Sequence, residues 1–509
     1  MPTGCMRALL TIALLASLNS VSAMTQGPRP DAATIARAVD SLAARAVAMG
    51  LTPALGVAVT MDGRTIYAKS HGMADVSAAI PADDRTLWYV ASTSKSFTGF
   101  GVALLAHQGR IRLDAPITTL LPNVKWHAGA DAQNLTLAHF LSHTHHLNDN
   151  AVVQSAAFTG AIPEPRWPSL VLLATPTGNN DLVYSNFGYN VAAMVIDAVR
   201  PEGWRRYLEQ NVYGPAGLRE TYARISGVDA KRIAKPHRLL ADGRYRTEPF
   251  FKTDATMNSA GGHIATLHDL ARWTIVQMDS GVIDGRRVFP AQAIELSHRL
   301  IARQTRDQAR RFAYFDRDGW GSGWDVGTYQ GERMVSRFGG YHTTRSHLSF
   351  LPQRRIGVVA LSTGGGGSTL TDIVAALAYD LEAGRPDARE RADQRVNQVR
   401  DQLGSGRQGI AREDSVRASR QRQSLGRPLT DFAGTYSEES YGDVMFTLRD
   451  GVLHYRWGAL YGPAEIYDAA KAQFRIEIAG SGNVVTFTLG EKQATAVQIQ
   501  GVTFSRRRN

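Results

Sequence analysis

The chain has 509 residues, 43% of them hydrophobic, and a formal net charge of +11 at pH 7. That length exceeds what one hydrophobic core supports, so two domains are expected. The single cysteine, Cys5, lies ahead of an apolar N-terminal run expected to be removed as a signal, and the mature chain would then have no cysteine nucleophile, thiolate metal site or disulfide.

Arg7, the apolar run Ala8 to Leu18 and the small-residue site Val21-Ser22-Ala23 read as a secretory signal over residues 1–23, so a periplasmic or secreted protein is expected. No later segment approaches the ~20 apolar residues of a membrane-spanning helix. Removing Arg7 leaves a charge of +10, carried mainly by arginine. No nucleic-acid motif accompanies it, so it is read as a solvated surface, with contact to the cell envelope left open.

Asp31 to Met49 has helical apolar spacing, and a hairpin is expected where Leu55–Thr60 and Thr65–Ala68 flank Asp62-Gly63. Helical patterns and loops alternate from Ser92 to about Gly281. Strand patterns return at Ser346–Leu351 and Ile356–Leu361, followed by a helix at Leu370–Leu381. Strands at both ends of a mainly helical middle predict an α/β domain over 28–384 whose ends share one antiparallel sheet flanked by helices, with a helical subdomain beside it. Residues 385–428 are charged and broken by Gly404, Gly406 and Gly409, and read as a partly helical linker. Alternating patterns over 429–509 predict a small all-β barrel or sandwich.

Within this frame Ser92-Thr93-Ser94-Lys95 carries the most chemistry. A helix starting near Ser92 puts the Lys95 ammonium on the face of the Ser92 hydroxyl, where it can tune the serine proton for acyl transfer. A plain helix start explains the same residues, with Ser92 or Thr93 as N-cap and Phe97, Phe100, Val102, Leu104 and Leu105 buried. Partners elsewhere must separate the two. Tyr184-Ser185-Asn186 supplies a phenol that can exchange a proton with Ser92 and an amide that can hold Lys95 and a substrate carbonyl.

With these motifs the chain resembles the serine hydrolases related to class C β-lactamases, D,D-peptidases and family VIII esterases, from about Leu55 to Ala383. The resemblance includes Leu135 to Thr144, Tyr184-Ser185-Asn186 with Gly188-Tyr189, Ala260-Gly261-Gly262 ahead of Asp269-Leu270-Ala271, and Ser346 to Pro352. It implies Ser92 as nucleophile, Lys95 and Tyr184 as proton-handling partners and Asn186 as an orienter, with no cofactor. The order in which Lys95 and Tyr184 accept the proton stays open.

Two departures stand out. Where relatives carry Lys-Thr-Gly or His-x-Gly, this chain has Arg337-Phe338-Gly339-Gly340. Arg337 keeps the positive charge, but Phe338 offers no hydroxyl to a substrate carboxylate. Gly339 and Gly340 let a substrate approach the strand, and the Gly340 N–H would join that of Ser92 as the oxyanion hole. The second is His145-His146 where relatives have Ser-Gly. With His139 and His143 these invite a metal reading, for which Asp149 is the only nearby carboxylate; an altered loop is the alternative reading. Gly364 to Gly367 lacks the Gly-Lys-Ser/Thr of a phosphate cradle. The expectation is an ester or peptide hydrolase acting on a small-molecule or peptide substrate. A β-lactam-acylated binding protein and an inert envelope protein remain alternatives, and the oligomeric state is open.

Overall fold

A computed structural model describes residues 31–148, 150–178, 182–305 and 315–508. The expected signal over 1–23 and Asp149 lie outside the described residues. Helix α1 (Ala32–Ala48) starts at Asp31, whose carboxylate accepts from the Thr34 N–H, and leads into the hairpin of β1 (Ala54–Met61) and β2 (Arg64–Asp75). Asp62 and Gly63 both take positive φ, 49° and 75°, as a two-residue turn between twisted strands requires.

Helix α2 (Ser94–His107) and helix α3 (Phe187–Val199) belong to the mainly helical middle. The chain then returns to the sheet through β3 (Asp316–Trp320), β4 (Asp325–Tyr329), β5 (Glu332–Tyr341), β6 (Thr344–Leu351) and β7 (Ile356–Thr363). β1 pairs antiparallel with β7, with Val57 opposite Ala360, so the two ends of the domain do share one sheet. It has nine strands, ordered β3-β4-β5-β6-β7-β1-β2 with short strands Ala302–Arg303 and Ile80–Pro81 at its edges.

Both faces of the sheet are covered. Val57, Val59, Ile356, Val358 and Ala360 pack against α1 and helix α4 (Gly367–Glu382), whereas Ala58, Leu348, Phe350, Val359 and Leu361 join the core that contains α2 and α3. Burial on both faces explains the unbroken apolar run of β7.

Residues 385–428, read as a partly helical linker, are more regular than the glycines suggested. They contain one helix of 33 residues, α5 (Ala388–Arg420), which runs through Gly404, Gly406 and Gly409. Ala388, Ala392, Val396 and Val399 recur at helical spacing and are buried against the α1/α4 side, while Arg417 pairs with Glu465 further on. Docking at both ends supplies the stability that the glycines withhold.

The C-terminal domain is all-β. Its strands are β8 (Gly434–Glu438), β9 (Gly442–Arg449), β10 (Val452–Trp457), β11 (Leu460–Pro463), β12 (Glu465–Asp468), β13 (Gln473–Ile478), β14 (Ser481–Leu489), β15 (Ala494–Ile499) and β16 (Val502–Arg506). They form one sheet in the order β11-β10-β9-β8-β16-β15-β14-β13-β12. The two edge strands are consecutive in the chain with only Ala464 between them, so the sheet curls into a nearly closed barrel. Phe432, Tyr436, Phe446, Phe474 and Phe487 fill it with edge-to-face rings.

Candidate active site

Ser92 sits in a single 3₁₀ turn (Ala91–Thr93) that runs directly into α2. Ala91, just before it, is held at φ 46°, a left-handed conformation that an L-residue adopts at a cost. Thr93 stands at the N-cap of α2, and Phe97, Phe100, Val102, Leu104 and Leu105 are buried as a helix start predicts, but the Thr93 side chain makes no cap bond and meets the Ser346 hydroxyl at 2.8 Å instead.

Lys95 is fully buried one turn later. Its Nζ donates to Asn186 Oδ1 and to the Ala260 carbonyl, each at 2.6 Å, and lies 3.3 Å from Ser92 Oγ. Burial, reinforced by the Arg337 guanidinium, holds its pKa well below the usual lysine range, against the opposing pull of Asp325. Asn186 stands at the N-cap of α3, but its side-chain oxygen is engaged with Lys95, and the Ser185 hydroxyl accepts the Phe187 N–H at 3.1 Å instead.

Tyr184 donates from its hydroxyl to Ser92 Oγ at 2.8 Å, and the Tyr184 oxygen in turn accepts from Arg337 Nη2 at 2.9 Å. Arg337 is completely buried; Nε donates to the Ser92 carbonyl at 3.0 Å and Nη1 to Asp325 Oδ1 at 2.8 Å. Asp325 also receives Arg317 Nη1 at 3.0 Å, so a carboxylate between two guanidiniums anchors the cation beside Tyr184.

Strand parity separates the four residues Arg337 to Gly340. Arg337 and Gly339 face Ser92, and a Cβ on Gly339 would lie 2.2 Å from the Val90 carbonyl and 2.9 Å from Ser92 N. Glycine is therefore required at 339 for the strand to pass Ser92 this closely. Phe338 turns towards the α1/α4 side, stacked on Phe315 with ring centroids 5.0 Å apart and edge-on to His347 at 4.8 Å. Its place in the expected substrate-binding set is thus limited to the rim of the cavity beside Arg337. β4 pairs with β5 only as far as Asp325 opposite Ser336, and among the described residues no strand pairs with the Arg337–Tyr341 edge of β5 on that side.

The histidines are held by separate local contacts. His139 Nδ1 accepts from the Thr136 N–H at 3.0 Å in a capping box. His143 Nδ1 accepts from the Ser185 N–H at 3.2 Å, with its ring 4.6 Å from that of Tyr184. His145 stacks on Phe140 at 4.9 Å, and burial lowers its pKa to about 3. Among the described residues no three His, Cys, Asp or Glu side chains are grouped to hold a metal. His143 thus braces the tyrosine segment as a neutral, buried ring, its pKa pushed well down by burial and then by Arg337 and Lys95.

Sequence reasoning missed Asp325, Arg317, Trp320 and the buried Lys252, all of which line cavities at Ser92. Only the unusual density of charge and tryptophan in Arg317 to Asp325 could have flagged the first three.

Fold and constellation together define a serine hydrolase with a Ser-x-x-Lys helix start. The Beta-lactamase family model matches residues 39–381, and the chain belongs to that family. It is 24% identical over 340 residues to Penicillin-binding protein 4 of Amycolatopsis lactamdurans, covering 65% of this chain and 86% of that protein. It is 23% identical over 446 residues to the unguisins hydrolase ungD of Aspergillus violaceofuscus, covering 79% of this chain and 75% of the relative. The octameric penicillin-binding protein homologue from Pyrococcus abyssi superposes with a TM-score of 0.58 at 17% identity, over 92% of this chain and 98% of that one.

Proposed function

We propose that this hydrolase works through an acyl-enzyme on Ser92, with Lys95 and Tyr184 as proton relay, and that it cleaves esters or peptide amides outside the cytoplasm. One observation carries the relay. An ammonium at Lys95 would use its three N–H groups on Asn186, Ala260 and Ser92; the neutral amine keeps the two short bonds and turns its lone pair to Ser92 Oγ. The depressed pKa favours that neutral form.

In the proposed cycle Ser92 Oγ attacks the substrate carbonyl as its proton passes into the Lys95–Tyr184 pair. The pair then returns a proton to the leaving atom, and Arg337, donating to the Tyr184 oxygen, stabilises negative charge there. The Ser92 and Gly340 amides receive the oxyanion along the open edge of β5, each donor being worth about 3 kcal/mol in the transition state. Water then releases the acyl group. Arg337 retains a cation for the leaving-group side, but the Phe338 ring supplies no hydroxyl beside it, which favours esters and peptides over β-lactams. The extracytoplasmic location rests on the leader-like residues 1–23.

A fluorophosphonate probe tests the reading, with expected labelling of the wild type and none of Ser92→Ala. Turnover of a chromogenic ester should exceed that of a chromogenic cephalosporin. Absence of labelling would sink the acyl-enzyme. Labelling without release would instead mark a binding protein, and rapid cephalosporin cleavage would overturn the substrate preference.

A further inference from the structure

Two cavities open on Ser92 and share Gly340. One, of about 460 Å³, is walled by Tyr184, Arg337, Trp320 and Gln304. The other, of about 340 Å³, extends past Asn186 and Tyr89 to Gln154, Lys252 and the turn between β13 and β14. Both volumes suit small-molecule groups. On the acyl-enzyme reading, on which this inference rests, the leaving atom takes its proton from Tyr184. The leaving group therefore occupies the first cavity and the acyl group the second.

We propose that the second cavity is the acyl pocket and that Lys252 reads a carboxylate at the far end of the acyl group. Lys252 is only 6% exposed, and its Nζ donates to the Ala157 carbonyl. Otherwise it is surrounded by rings, with Nζ 3.9 Å from the centroid of Tyr341, 5.2 Å from Tyr89 and 5.9 Å from Phe158. Three N–H donors thus meet one oxygen, and no carboxylate among the described residues pairs with the charge. Gln154 Nε2, on the same cavity, is buried with no acceptor among the described residues.

Fully desolvated cations are retained where a partner neutralises them. Here the fold withholds the partner, and burial alone lowers the Lys252 pKa to about 7. A substrate carboxylate would supply both the counter-charge and the missing acceptors. Aromatic faces around Nζ add attraction for the ammonium without competing for its N–H groups.

The barrel supplies one wall of this pocket. Ala479 and Gly480, at φ 48° and 83°, form the turn between β13 and β14. A Cβ on Gly480 would lie 2.9 Å from the His342 ring, so the turn packs directly on the residue after Tyr341. A pocket walled this way admits a short acyl chain with a charged end, the shape of a dicarboxylic acid half-ester or half-amide.

The test compares mono-p-nitrophenyl adipate with p-nitrophenyl adipamate, which replaces the carboxylate by an uncharged amide of the same shape. For the full-length wild type we expect kcat/KM for the adipate to exceed that for the adipamate by about 10-fold or more, with the difference chiefly in KM. Lys252→Met should bring the ratio to about one, and Lys252→Arg should hold it above one. Equal turnover of the two esters by the wild type, or a Lys252→Met enzyme that keeps the preference, overturns the proposal. If Lys252→Met fails to fold, the wild-type ratio still decides, and Gln154→Leu should lower it. Fluorophosphonate labelling of Ser92 in each sample separates the causes. A labelled wild type without preference refutes only the acyl pocket, whereas an unlabelled one refutes the acyl-enzyme.

Discussion

Lys95 and Lys252 are both buried lysines beside the same serine cleft, and their surroundings are opposite. Lys95 has oxygen atoms for each of its N–H groups, two on side chains and one on the backbone. Lys252 has one backbone oxygen and three aromatic rings. Burial lowers the pKa of both. The contrast separates two uses of a desolvated amine. On the proposed reading, the amine whose bonds are satisfied internally is positioned for proton transfer, and the one whose bonds are not is left as a site for an incoming anion.

The largest effect that can break this contrast comes from Lys95→Met. Loss of the amine should cut single-turnover acylation of Ser92 by about 10⁴-fold for any ester, charged or neutral, measured by stopped-flow release of p-nitrophenol. Sensitivity to the acyl group alone would mean that Lys95 also only binds substrate. Tyr184→Phe removes the hydroxyl between Arg337 and Ser92 and should slow acylation by about 10²- to 10³-fold. That loss should shrink as the leaving group becomes more acidic and needs no proton. An equal loss for all leaving groups would place Tyr184 outside the delivery step.

The smallest effect is on stability. His145 has a folded pKa of about 3 against an ordinary 6.5, so between these values the unfolded chain binds more protons. Its contribution is fully present above pH 6.5 and is lost as pH falls towards 3. Lys252 has the same sign in a higher window, from about 7 to 10.5, where stability rises with pH as the unfolded chain gives up its proton. Thermal melts should show the upper slope flattened between pH 7 and 9.5 in Lys252→Met, with the acid slope unchanged. An identical upper slope in the variant would mean that Lys252 keeps its charge in the fold.

Much of the catalytic corner is legible in the sequence. Ser92 and Lys95 are three residues apart at a helix start, so local geometry brings that pair to one side, whereas Tyr184 and Asn186 were readable only as a motif of the family the chain resembles. The hairpin at Asp62-Gly63 and the all-β character of the C-terminal domain are equally local, because turn chemistry and strand alternation are written in adjacent residues. The glycines of α5 mislead because helix stability there comes from docking on distant residues, with Ala392 and Val396 against the hydrolase core and Arg417 on Glu465.

The sequence by itself pointed to the class of chemistry, through Ser92-x-x-Lys95 taken with Tyr184-Ser185-Asn186 and the other motifs of the family it resembles, and the backbone alone brings the serine and the lysine together. Tertiary structure decided what surrounds them. Alternation along β5 could sort Arg337 from Phe338, but only packing shows Asp325 holding Arg337 against Tyr184, 153 residues away in the chain. The same is true of Lys252, whose environment is assembled from Tyr89, Ala157 and Tyr341 and walled on one side by a barrel turn at Gly480. Desolvation and charge pairing depend on distance through space, and no spacing along the chain records it.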